Sequence, residues 1–161
     1  LVPAPFAPHL LCDWLLAAVR ADAPGSVVER GVCELALGLP YEHGDASGNR
    51  FISAADWLCP ATCIEPARCP AIHAARTWEL GDIVRAGAAH ATVPYAAVEL
   101  FTCRHYAFGV GAIPISELAQ ARQRLAALPQ PAAAGPQRVL VGTVSACHGV
   151  LGELLVSSET A

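Results

Sequence analysis

The stretch Arg138-Val-Leu-Val-Gly-Thr-Val-Ser-Ala146 (RVLVGTVSA) decides the fold class. It is a short run of β-branched and apolar residues and reads as the most convincing strand in the chain. Working outward, Val98 to Thr102 (VELFT) reads as a second buried strand, and Ser116 is placed to cap a helix from Glu117 to Leu128 that Pro129 stops. Glu117 lies in the first turn of that helix, with Arg122 and Arg124 further along, as the helix dipole favours. Strand, helix and strand in that order make a right-handed crossover between parallel strands the expected connection. The chain therefore reads as an α/β fold, with α+β as the alternative: a small sheet, flanking helices and a Cys/Pro-rich loop.

Further out the signals vary. Leu10, Leu11, Trp14, Leu15, Ala18 and Val19 recur at helical spacing and predict a first helix ending before Pro24 and Gly25. A second short helix is expected from about Val27 to Leu37. Tyr41 to Arg50 (YEHGDASGNR) reads as a polar loop, and Phe51 to Leu58 as a strand. Thr77 is the expected N-cap of a helix from Trp78 to Ala86 that Gly87 closes, and a glycine-bearing loop is expected from Phe108 to Ile113. Leu1 to Pro8 should be extended, and Pro129 to Gln137 should be a connector. Val150 to Ser157 fits either a return strand or a final helix. Residues 1–50 read as a helical N-terminal segment, the remnant of a larger chain, ahead of a Cys/His-rich core in residues 51–161.

Composition narrows the function. The 161 residues are 54% hydrophobic and only 15% charged, enough apolar material for a core and too much for a disordered chain. All ten basic residues are arginine and the formal charge is −4 with no basic run, so no nucleic-acid partner is expected. The apolar stretch from Leu10 to Val19 is interrupted by Asp13 and is too short to span a bilayer, so no transmembrane segment and a cytoplasmic location are expected. The scarcity of charge suggests a face that meets something else: a protein partner, a second copy or an upstream domain. The absence of methionine also leads us to expect that the natural start lies upstream.

The seven cysteines carry the chemical signal. Cys12 and Cys33 sit among apolar residues and read as small core residues. The other five fall into three groups: Cys59-Pro-Ala-Thr-Cys63-Ile-Glu-Pro-Ala-Arg-Cys69-Pro with His73 close behind, then Cys103-Arg-His105, then Cys147-His148. Each group follows a predicted strand. If those strands run parallel, all three groups emerge at one sheet edge, where open α/β sheets place their ligands.

Three thiols separated by three and five residues suit a metal centre, because short gaps lower the cost of aligning soft ligands. The expected ligands are Cys59, Cys63 and Cys69, completed by Cys103 or Cys147, with His73, His105 and His148 as further candidates. Glu65 and Arg68 are candidates to orient those ligands, and Trp57, Tyr106 and Phe108 to shield them. The Cys-Pro pairs favour an iron–sulfur cluster over zinc, although the spacing lacks the CxxC pairs of zinc ribbons and the gaps of ferredoxins. The function expected is thus a metal- or iron–sulfur-binding α/β domain, redox-active where the metal permits. Two rivals stand beside it: an enzyme with Cys147 or Cys103 as nucleophile, and a structural module stapled by zinc or disulfides. The chain shows neither a dinucleotide fingerprint, a P-loop nor a nucleophile elbow.

Overall fold

In chain order the elements are α1 (Leu10–Asp22), β1 (Ser26–Gly31), β2 (Tyr41–Gly44), β3 (Arg50–Ser53), β4 (Arg68–Cys69), β5 (Ala74–Ala75), α2 (Leu80–Ala89), β6 (Ala97–Thr102), β7 (Arg104–Ala107), β8 (Val110–Ala112), α3 (Ile115–Ala126), β9 (Gln137–Val144) and β10 (His148–Ser158). They are seen in a computed structural model that describes residues 10–60, 62–107, 110–128 and 135–158. The expectations for Leu1 to Pro8, for Phe108 and for most of the Pro129–Gln137 connector fall outside the described residues. Six strands form one mixed sheet in the order β2-β3-β10-β9-β6, with β1 on the free half of β10. This is a small mixed α/β fold.

The centre is as the run at 138–146 dictates. β9 is buried from Val139 to Val144, with antiparallel β10 on one side and parallel β6 on the other. α3 lies within the connection from β6 to β9, as expected of a crossover. β10 is a strand, not a helix, and its 11 residues are long enough to pair with β9 along one edge and with β3 and then β1 along the other. No helix among the described residues is long and apolar enough to cross a membrane.

The second helix is a correction. Residues 27–31 belong to β1, and no helix follows as far as Leu39. Cys33 and Leu35 are buried while Val32, Glu34 and Ala36 are exposed, a period of two rather than 3.6. The register of β1 on β10, from Ser26↔Ser158 to Gly31↔Glu153, satisfies its backbone groups without a helix. The Tyr41–Arg50 loop also becomes a hairpin, β2 and β3 joined by a turn in which the Asp45 carboxylate accepts from the Ser47 and Asn49 amides. Gly48 makes that turn possible: its φ is +80°, and a Cβ there would lie 2.7 Å from the Gly31 carbonyl oxygen. β1 and β2 precede residue 51 yet share the sheet with the later strands.

Two other helix starts move by a few residues. α2 begins at Leu80 after Glu79 and continues through Gly87 to Ala89, so Thr77 lies before its cap. α3 begins at Ile115 after Pro114, which leaves Ser116 inside the first turn. Within the loop expected from Phe108 to Ile113, Val110–Ala112 is the strand β8, paired with β7.

Both sheet faces are covered. α1 and α3 pack on one through Leu15, Val19, Leu118, Ala121 and Leu125 against Phe101, Val139, Val141 and Leu154. α2 covers the other through Leu80, Val84 and Ala88 against Leu140, Val144 and Leu151. Two buried acids are matched by arginines: Glu99 on β6 by Arg124 of α3 at 2.9 and 2.6 Å, and Glu153 on β10 by Arg138 at 2.9 and 2.7 Å. Each pair is bidentate, so neither carboxylate is left unpaired in the interior.

Candidate metal centre

β3, β9 and β6 all run the same way, because β10 is antiparallel to both β3 and β9. Their carboxyl ends therefore share one edge, and the three cysteine groups emerge there. The turn from β9 to β10 is the hub. The Ala54 amide donates to the Cys147 carbonyl at 2.9 Å, the Leu80 amide to the Ala146 carbonyl at 3.1 Å, and the Cys103 amide to the Val144 carbonyl at 2.7 Å.

Four thiols line one pocket at this hub. Cys59, Cys63 and Cys69 come from the loop after β3, and Cys147 comes from the turn; Trp57, Glu65, Pro66, Pro70 and Arg76 complete most of the wall. Its free volume is only about 10 Å³, room for about one water. The Cys63 amide donates to the Pro60 carbonyl at 2.9 Å, closing a turn inside the loop. Among the described residues, however, no group of three or more His, Cys, Asp or Glu side chains stands close enough together to hold a metal ion. The sulfurs surround the pocket without meeting in it.

The remaining candidates separate. Cys103 packs against the α1/α3 core, a Cβ at Gly111 would run into its sulfur, and it does not line the pocket. His73 is exposed at the β4–β5 turn, with a positive φ of 53°. His148 is exposed, with Nδ1 3.0 Å from Ser53 Oγ. His105 lies 3.8 Å from Glu65, outside the pocket wall. Arg68 is exposed, and the Tyr106 side chain and Phe108 lie outside the described residues.

Electrostatics favour the neutral thiol at Cys59 and Cys147. Burial, followed by the Cys63 and Cys69 sulfurs, raises the Cys59 thiol above its ordinary range. Burial pushes Cys147 up to about 11, against a smaller opposing effect from the Trp78 indole. Cys103 is raised by burial and then by Glu65. A thiol held protonated is a poor nucleophile. All seven cysteines are free thiols, with no disulfide.

One feature escaped the sequence reading. Trp57 Nε1, Trp78 Nε1 and Arg76 Nε are buried donors with no hydrogen-bond partner. The two indoles touch edge to face at 6.0 Å, and their N–H groups act on the Cys59 and Cys147 thiols without forming a well-made bond to either. Buried orphan donors are rare and costly, at about 1–3 kcal/mol each. The signal available in the sequence was position: two of only three tryptophans flank the cysteine loop.

A family model described as "Uncharacterized protein, C-terminal domain" (AF_1314_C) matches residues 11–157. The chain belongs to this family. No curated protein and no solved structure matches it. The AF_1314_C match runs from α1 to β10 and so contains all four thiols of the pocket.

Proposed function

We propose that this domain binds an iron–sulfur cluster through Cys59, Cys63, Cys69 and Cys147 and serves in one-electron transfer. The observation that carries the reading is the coincidence of four thiols with two residues bearing unpartnered N–H donors, Trp57 and Arg76, in one pocket wall, and a third such donor on Trp78, which packs on Trp57. Neutral thiols are weak acceptors, whereas metal-bound thiolates and inorganic sulfides are strong ones. A cluster would therefore offer acceptors to Trp57, Trp78 and Arg76 while removing the protons that burial favours on Cys59 and Cys147. Zinc-bound thiolates would accept from the same donors, so the preference for a cluster rests on the Cys-Pro pairs and is decided by metal analysis.

Because the sulfurs stand apart around a pocket with little free space, loading requires the loop to rearrange around the cluster. The prolines at 60, 66 and 70 limit how far its backbone can wander before that. The cluster would sit near the surface beside exposed Leu58, Ile64 and Ile72, which give a redox partner an apolar approach. A reducing, cytoplasmic setting suits seven free thiols. The nucleophile reading gains nothing from a Cys147 held protonated by burial.

The test is anaerobic purification followed by iron, sulfide and zinc analysis. A brown protein absorbing near roughly 400 nm with stoichiometric iron and sulfide is the expected result. A colourless protein with stoichiometric zinc would replace the cluster by a structural thiolate site. A metal-free protein that takes up neither after reconstitution would remove the metal function.

A further inference from the structure

Among the described residues lining the pocket, Glu65 is the only carboxylate. Its backbone is unusual, with φ at +54°, the left-handed region that costs an ordinary side chain about 1 kcal/mol and that glycine or asparagine normally fills. A loop needing only a turn would be better served by glycine, so the side chain has to account for the residue.

Its contacts supply that account. The carboxylate is only 8% exposed. It accepts a hydrogen bond from Ser145 Oγ at 2.6 Å and another from the Ala146 amide at 2.8 Å. Both donors lie in the β9–β10 turn, and Ala146 immediately precedes Cys147. At the same time the Glu65 amide donates to Cys63 Sγ at 3.3 Å. His105 Nδ1 approaches the carboxylate from the β7 side at 3.8 Å. One residue thus holds a loop sulfur with its backbone and the turn that bears Cys147 with its side chain.

We infer that Glu65 is a positioning residue that fastens the cysteine loop to the β9–β10 turn and sets a negative charge beside the cluster. The inference rests on the cluster reading for its second half alone, since the fastening is a property of the chain. The left-handed backbone at Glu65 is tolerated because two hydrogen bonds and one N–H···S contact over-determine it. The charge has its own effect. A carboxylate close to the thiols disfavours added electrons, so it lowers the potential at which a cluster is reduced.

Two variants separate the effects. Glu65→Gln keeps an oxygen for the Ala146 amide and an amide for Ser145 Oγ but removes the charge; Glu65→Ala removes both. After anaerobic reconstitution with ferrous iron and sulfide, Glu65→Ala should lose cluster to a chelator about 10–100-fold faster than the parent. Glu65→Gln should hold its cluster within a few-fold of the parent while its midpoint potential moves positive, a shift that a purely structural role would not cause. Parent-like cluster retention in Glu65→Ala overturns the positioning role, and an unmoved potential in Glu65→Gln overturns the charge effect.

Amide exchange of the metal-free protein keeps the two readings apart. There the Ala146 amide should exchange at least about tenfold faster in Glu65→Ala than in the parent. Should the parent take up no cluster, the cluster reading and the charge effect fail, while faster exchange at Ala146 would still uphold the fastening. Unchanged exchange overturns the fastening whatever the metal does.

Discussion

Replacing Trp78 by phenylalanine should move stability in opposite directions in the metal-free and loaded protein. In the metal-free chain the Trp78 indole N–H is buried without a partner. Removing such a donor recovers about 1–3 kcal/mol. The smaller ring forgoes packing of roughly 1 kcal/mol, while much of the edge contact to Trp57 survives. The metal-free variant should therefore lie between no change and a gain of about 2 kcal/mol. At about 2–4 °C per kcal/mol for a chain of this size, that is a Tm rise of up to several degrees. In the loaded protein the same N–H would face a metal-bound thiolate, a charged acceptor for which a hydrogen bond is worth about 1.5–3 kcal/mol. The stability gained on loading should shrink by about that amount. Urea unfolding of both proteins, each with and without iron and sulfide under reducing conditions, reads both numbers. A metal-free Trp78→Phe destabilised by more than about 2 kcal/mol would show that the indole already had a partner. An unchanged gain on loading would show that it never faces the metal.

Three further outcomes follow from the fold. Cys12 is pushed up to about 11, chiefly by burial and against the pull of Arg30, so the folded state keeps a proton that the unfolded chain releases near 9. The contribution of Cys12 to stability of the metal-free protein should thus be constant below about pH 9 and fall between 9 and 11, and Cys12→Ala should flatten that fall by about 2 kcal/mol in denaturant titrations across this range. Arg138→Met leaves the buried Glu153 carboxylate without its bidentate partner and should cost about 3–5 kcal/mol by thermal or urea unfolding; a cost under 1 kcal/mol would mean the carboxylate is solvated. Gly142→Ala would set a Cβ 2.7 Å from Leu100 Cδ2 and 2.8 Å from Leu151 Cδ2 in the central strand, and should cost about 1–3 kcal/mol by the same measurement.

How far the sequence could be read depended on whether local pattern or tertiary pairing decided each element. The run at 138–146 is apolar on both faces and could hardly be anything but an inner strand, and β6 with α3 followed from it. Residues 27–37 offered two patterns at once. Val27, Val28 and Cys33 to Leu37 can be placed on a helix face, but pairing with β10 fixes residues 26–31 as a strand, and burial alternates from Gly31 to Ala36. β10 itself was ambiguous for the same reason, since only its three neighbours mark it as a strand.

At the pocket, the loop cysteines and their sheet edge were legible because short spacing and strand ends are local facts. The choice between Cys103 and Cys147 was not. Both follow strands at that edge, and which sulfur turns to the α1/α3 core and which to the loop depends on packing that spacing does not encode. Glu65 stood out only by lying between two cysteines. Its link to Ser145 and Ala146 spans 80 residues of chain, beyond the reach of any local pattern.

The central claim, that Cys59, Cys63, Cys69 and Cys147 share one metal centre, is tested most directly by metal content across seven single Cys→Ser variants purified anaerobically. Stoichiometric metal should fall sharply in Cys59→Ser, Cys63→Ser, Cys69→Ser and Cys147→Ser, and should hold in folded Cys12→Ser, Cys33→Ser and Cys103→Ser. Loss of metal in Cys103→Ser with retention in Cys147→Ser would contradict the account, as would equal metal content in all seven.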